Sequence, residues 1–254
     1  MALPISVTVI TKDEERNIDR ALASVAWADE IVVLDAGSSD KTVELASKYT
    51  SRVYVTDWPG FAAQKQRAVN LAKHDWILSI DADEVVTAEL RDEIKALFAA
   101  GEPPFDGYYI SRLNYYLGRP VKHSGWSPDY QLRLFRKQKG RWQGDYIHES
   151  VKVNGQTAYL KAKLEHYSIE SLSAHHLRLD RYTDLAAEEL FRSGKSITSL
   201  DLLLRPTLTF FRNYFLKFGF LDGTAGIIIC TFSAYYVFLK LAKCWQRHLL
   251  SSQR

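Results

Sequence analysis

The chain has 254 residues, 46% of them hydrophobic, enough for one large domain or two small ones with a sizeable core. A formal net charge of +3, from 33 basic and 30 acidic side chains, excludes a broad basic face, and no nucleic-acid partner is expected. Cys230 and Cys244 lie outside any CxxC spacing, which excludes a disulfide scaffold or cysteine zinc site and fits a reducing, cytoplasmic compartment.

The N-terminus, MALPISVTVI, lacks a basic n-region and is interrupted by Pro4, so it does not read as a signal peptide, and the protein is expected to stay inside the cell. Over the first hundred residues strand and helix patterns alternate, as in an α/β domain with a mostly parallel sheet. Strand patterns fall at 5–11, 30–40, 51–58 and 75–80, the second running into a glycine turn; helix patterns fall at 14–26, 42–49, 62–74 and 85–100. From Tyr108 to Tyr167 short aromatic-rich strands dominate, with turn signals at Gly118-Arg119-Pro120, Lys139-Gly140 and Asn154-Gly155. The stretch VKVNGQTAYL reads as a hairpin on a tight Asn-Gly turn. After Leu172 the pattern is helical to the end, broken at Gly194, at Arg205-Pro206 and at Asp222-Gly223.

Polar groups collect at the predicted strand ends, where open parallel sheets bind ligands. The fourth strand, in WILSIDADEVV (76–86), runs into Asp81, Asp83 and Glu84. Carboxylates at i and i+2 project to one side of a strand and repel each other unless a cation sits beside them; hard oxygens of this kind suit Mg²⁺ or Mn²⁺. The competing reading makes Asp83 an N-cap and Glu84 a first-turn acid of the following helix. The second strand ends at Asp35, which could accept from a uracil or ribose donor. The first ends at Thr11 with Glu14 close by, lining the same crevice or forming a plain capping box. Lys65, in the helix before the fourth strand, could reach a phosphate or simply lie on a solvated face.

The stretches SVTVITKDEERNI, EIVVLDAGSSDKT, QKQRAVNLAKHDWILSIDADE and GDYIHESV resemble the inverting family 2 glycosyltransferases of GT-A fold, in particular the lipopolysaccharide-core β-1,4-glucosyltransferase group. The resemblance covers nearly the whole chain. It implies a nucleotide-diphospho-sugar transferase fold with a Rossmann-like, mostly parallel sheet and a C-terminal helical membrane-associating extension. The catalytic domain would span 1–170, divided into a nucleotide-sugar half (1–105) and an acceptor half (106–170), with the helical region at 171–254. By the same resemblance Thr11, Glu14 and Asp35 border the nucleoside, and Lys65 stands where many relatives have arginine. Asp81 then favours the ribose or sugar, and Asp83 a divalent cation, Mn²⁺ or Mg²⁺. His166 is either a further metal ligand or an ordinary hydrogen-bonded histidine.

Inversion needs one base to take the acceptor proton as the hydroxyl attacks the anomeric carbon. In QGDYIHES the candidates are Asp145, His148 and Glu149; the resemblance selects Glu149, where many relatives carry an aspartate, and leaves His148 as a structural or acceptor-pocket residue. WSPDYQLRLFRK (126–137) offers Trp126 and Asp129 for sugar, and Arg133 and Arg136 for phosphate, of which at most one enters the site because i and i+3 face opposite sides of a strand.

The segment 205–221 places Leu208, Phe211, Phe215 and Phe218 near one helical face with Arg205, Arg212 and Lys217 among its charges, a pattern suited to a bilayer interface. The uncharged run at 223–239 is of marginal length for a span, which favours a peripheral or partly embedded hairpin over a crossing; a core helix or oligomer contact is the other reading. Together with the resemblance, these readings predict inverting transfer of a hexose, glucose from a UDP-sugar donor (UDP-glucose), onto a heptose of a lipopolysaccharide core glycolipid, and attachment to the cytoplasmic face of the inner membrane. The alternatives are transfer to a polyprenyl phosphate or other glycolipid, and a non-catalytic membrane-bound nucleotide-sugar-binding module.

Overall fold

The computed structural model describes residues 4–144 and 149–251, which divide into two compact units. The first unit (1–113 and 129–166) is built on a sheet whose parallel half consists of β1 (Ile5–Thr11), β2 (Glu30–Asp35), β3 (Val53–Val55) and β4 (Trp76–Asp81), in the order β3-β2-β1-β4. The helices α1 (Ile18–Ser24), α2 (Thr42–Ala46) and α3 (Phe61–Leu71) connect them. β1 and β2 are buried along their full length, as expected of parallel strands covered on both faces.

The sheet then changes character. β5 (Glu84–Val86), β6 (Gly107–Tyr116), β8 (Asp129–Arg136) and β11 (Thr157–Ile169) extend it as β4-β8-β6-β11-β5, with the β4–β8, β8–β6 and β11–β5 pairs antiparallel; β7 (Arg119–Val121) pairs with the end of β6. α4 (Ala88–Ala99) packs Leu90, Ile94 and Phe98 into the main core beside Trp76, Leu78, Tyr108 and Leu164. The expected mostly parallel sheet is therefore parallel across β3-β2-β1-β4 only.

Three local expectations change. The helix read at 85–100 starts later, because Glu84–Val86 pairs with β11 and Thr87 caps α4, its side chain accepting from Leu90 N at 3.1 Å; neither Asp83 nor Glu84 serves a helix N-terminus. The Asn154-Gly155 turn does not close a hairpin. β10 (Ser150–Val153) pairs instead with β9 (Gly140–Gln143). Val151 packs with Trp142 and Leu132, whereas Leu160 and Leu164 on β11 enter the main core, so the turn separates strands that belong to different apolar clusters. Pro206 does not break its helix either.

The second unit (114–128 and 167–254) is helical: α5 (Leu172–Arg192), α6 (Ser199–Phe211) and α7 (Gly223–Ser251). Pro206 lies inside α6, which is held at its start by a capping box between Thr198 and Asp201 and by the Arg205–Asp201 ion pair at 2.7 Å. The interruption comes later, through a π-helical turn at Arg212–Leu216 and a left-handed residue, Phe218 (φ 54°). Gly226 is required by close approach, since a Cβ there would collide with the Gly219 carbonyl. The Asp222 carboxylate accepts from Lys122 N, His123 N and Ser124 Oγ and ties that loop down. Both cysteine thiols are free and buried.

Candidate active site

The pairing register sets the site. Thr11 lies opposite Asp35, and Ile10 opposite Asp81, so the first, second and fourth strands deliver their last residues to one level of the sheet. Thr11 is buried, and its hydroxyl has no hydrogen-bond partner among the described residues. Asp35 spends its carboxylate on its own turn: one oxygen accepts from Gly37 N (2.9 Å) and Ser38 N (2.8 Å), the other from Ser38 Oγ. Glu14 makes no capping box with Thr11; its N–H donates to Thr42 Oγ1 (2.8 Å) and its carboxylate accepts from Asn17 (2.9 Å).

Around Asp81 the strand end becomes a network of ions. Lys65 Nζ lies 2.7 Å from one carboxylate oxygen, Arg133 Nη2 2.6 Å from the other. Burial alone would raise the Asp81 pKa, but these two cations outweigh it and hold the carboxyl well below the usual range. Arg133, itself 3% exposed, also reaches Glu84 at 2.5 Å, and its acid partners raise its pKa in spite of burial. Glu84 is fully buried: it accepts from the Asp81 backbone N–H (2.9 Å) and from Arg112 (3.3 Å), and Arg112 in turn holds Asp129 at 2.8 Å. Glu84 is thus the acid that locks the junction of β4 and β5.

Lys65 is not on a solvated face. It is 4% exposed, lies over the Trp142 ring at 4.6 Å and bridges Asp81 to Glu149, whose Oε1 is 3.2 Å away. Glu149 stands at the head of β10, and its side chain is 21% exposed. Asp83 points to a different partner, His166 Nε2 at 3.3 Å, because β11 sets His166 opposite Glu84 in the register. Carboxylate and imidazole are both ligand types that a divalent cation such as Mn²⁺ accepts. Among the described residues no group of three or more His, Cys, Asp or Glu side chains is arranged to hold a metal ion.

The structure therefore brings Lys65, Asp81, Glu84, Arg133 and Glu149 into one network, with Asp83 and His166 beside it in sequence and register. Arg136 turns away, pairing with Asp75 at 3.5 Å and lying over Trp76. Trp126 belongs to the second unit, where it packs edge-on against Tyr116 and accepts from Asn114 through its carbonyl. His148 lies outside the described residues. Arg112 and Trp142 were not singled out by sequence; the only signal for Arg112 was a cation in an aromatic strand.

A parallel nucleotide-type sheet continued by antiparallel strands, with a carboxylate network at the junction, is the layout of a GT-A nucleotide-sugar transferase. The model of Glycosyl transferase family 2 matches residues 6–168, and the chain belongs to that family; it is a glycosyltransferase. Among its relatives is the lipopolysaccharide core biosynthesis glycosyltransferase LpsC of Rhizobium meliloti (strain 1021), 30% identical over 99% of this chain and 95% of that protein. An uncharacterized glycosyltransferase of Rickettsia bellii (strain RML369-C) is 32% identical over 94% of this chain and 85% of its own length. Similar solved structures include S. aureus TarS 1-349 in complex with UDP-GlcNAc, with 16% identity, 99% of this chain and 92% of that chain covered, and a TM-score of 0.46. Glucosyl-3-phosphoglycerate synthase from Mycobacterium tuberculosis, in complex with Mn²⁺, UDP and glucosyl-3-phosphoglycerate, gives 24% identity over 44% of each chain and a TM-score of 0.37.

Proposed function

We propose that the protein is an inverting, metal-dependent hexosyltransferase that moves glucose from UDP-glucose onto a heptose of the lipopolysaccharide inner core. The observation that carries this reading is the Lys65 bridge, which sets the acid at the donor-side strand end and the candidate base within 2.7 and 3.2 Å of one ammonium group. Lipopolysaccharide enters through the relative LpsC, whose name places it in core biosynthesis.

In this reading Thr11, Glu14 and Asp35 border the nucleoside, with Asp35 acting through the turn it fixes. Asp81 orients the ribose or sugar, and Lys65 offers positive charge to the diphosphate. Asp83 and His166 would hold the Mn²⁺ or Mg²⁺, which offsets charge on the departing diphosphate when bound. Glu149 takes the proton of the acceptor hydroxyl while that oxygen bonds to the anomeric carbon from the face opposite the leaving UDP; the carbon–oxygen bond to the diphosphate breaks, and the configuration inverts. Asp129, held by Arg112, is the acceptor contact in this reading, and Arg133 acts by positioning Asp81 and Glu84. Residues 1–170 form the catalytic domain and 171–254 the membrane-associating region.

Attachment to the cytoplasmic membrane surface is supported by α6, which buries none of its residues: Leu200, Leu203 and Leu208 are each more than 60% exposed, with Phe211 and Phe215 continuing the surface and Arg205 and Arg212 among them. Gly219–Ser251 is also long and apolar enough to cross a membrane, with a mean hydropathy of 1.7. The same surface would suit a polyprenyl-phosphate acceptor. A donor screen with Mn²⁺ and extracted core glycolipid, read by product mass, separates the two: the expected product is core glycolipid heavier by one hexose. Labelled polyprenyl phosphate alone, or donor bound and never consumed, would sink the proposal.

A further inference from the structure

The face of the sheet that carries the β9–β10 hairpin also carries three tyrosines on adjacent strands: Tyr130 on β8, Tyr109 on β6 and Tyr159 on β11. Tyr109 and Tyr159 stack with centroids 5.0 Å apart and planes at 21°, while Tyr130 meets Tyr159 at 5.0 Å and 83°. Despite this mutual packing, Tyr159 stays 63% and Tyr130 47% exposed. Strand alternation explains why: Ala158, Leu160, Ala162 and Leu164 pack into or against the main core, which sends Tyr159, Lys161 and Lys163 to the opposite face. Both lysines are exposed there.

Rings held in water add little to the core, whereas rigid, flat side chains with polar tips are well suited to a binding surface. The near-perpendicular planes of Tyr130 and Tyr159 make an exposed aromatic corner, a surface whose ring faces suit the C–H face of a pyranose and whose phenols suit its hydroxyls. Lys161, two residues along the same face, is complementary to a phosphate or carboxylate on that sugar. Tyr109 ties the corner to the hairpin, because it packs with Val153 against the cluster of Leu132, Trp142 and Val151. Glu149 precedes Val151 by two residues, about 7 Å of extended chain.

We propose that Tyr130 and Tyr159, backed by Tyr109 and flanked by Lys161, bind a pyranose of an anionic acceptor glycan remote from the reacting hydroxyl. This rests on the reading of Glu149 as the base. The test is titration of lipid-free core oligosaccharide into the full chain, wild type against the double variant Tyr130→Ala/Tyr159→Ala, with UDP affinity as the check on folding. The double variant should bind the saccharide at least tenfold more weakly and UDP within twofold of wild type. Equal saccharide affinity in the two proteins, or no saccharide bound by wild type, overturns the corner. Turnover of Glu149→Gln is read separately: activity retained there removes the base and leaves a corner that still binds, whereas lost activity beside an unaffected double variant removes the corner and leaves the reaction.

Discussion

Two regions of this molecule invert the usual rule of burial, in opposite directions. The strand junction of the first unit buries charge, with Glu84, Arg133 and Lys65 all below 5% exposed, whereas α6 of the second unit puts leucine and phenylalanine into water. Each arrangement costs stability, the first through desolvation and the second through apolar area left uncovered. Inconsistencies of this kind concentrate at sites that meet a ligand. Under the proposed function the first region seats a charged donor and the second meets lipid.

The comparison can be broken most sharply at Glu149. Glu149→Gln should lower turnover by about 10²–10⁴-fold, as expected for loss of a general base, while UDP binding persists; steady-state rates alongside UDP titration check this. Arg133→Met should come next. It leaves Asp81 and Glu84 without their shared cation and is expected to cost about 3–5 kcal/mol in urea unfolding, the penalty of an uncompensated buried charge. On the exposed side, Leu203→Glu/Leu208→Glu should reduce partition onto anionic vesicles by about tenfold or more, from lost apolar insertion, yet change stability by only about 0.5 kcal/mol, as surface substitutions do. A vesicle-binding loss matched by an equal loss of stability would make α6 a misread core helix.

The smallest effect expected is one of pH. Burial, with a smaller contribution from Arg178, pushes the His175 pKa down to about 4; its ring stacks on Phe232, and Nδ1 lies 2.9 Å from the Tyr116 hydroxyl. An unfolded histidine titrates near 6.5, so below that value the unfolded chain binds a proton that the folded chain refuses. The contribution of neutral His175 is complete above about pH 6.5 and is lost as pH falls toward 4. His175→Gln should flatten the stability of the second unit across that window, as followed by thermal unfolding.

Much of the parallel half was legible because its strands are short apolar runs punctuated by polar ends, and Asp81 and Asp83 stood out as like charges at alternate positions. The meaning of Glu84 was hidden, since the same EVV can begin a helix or pair as a strand, and only β11 decides. Lys65 was singled out, but its burial was hidden for a similar reason. Helical spacing cannot say that Trp142, seventy-seven positions later in the chain, closes over its ammonium group. Pro206 misled in the other direction, because a capped and ion-paired first turn carries α6 through it.

The central claim, that the acid-rich strand end seats a nucleotide through a metal, is tested most directly by calorimetric titration of UDP into wild type and Asp83→Asn, with Mn²⁺ and with a chelator. The expected result is Mn²⁺-dependent UDP binding that Asp83→Asn weakens at least tenfold. UDP binding of equal strength in the presence of chelator, and unchanged by the substitution, would contradict it.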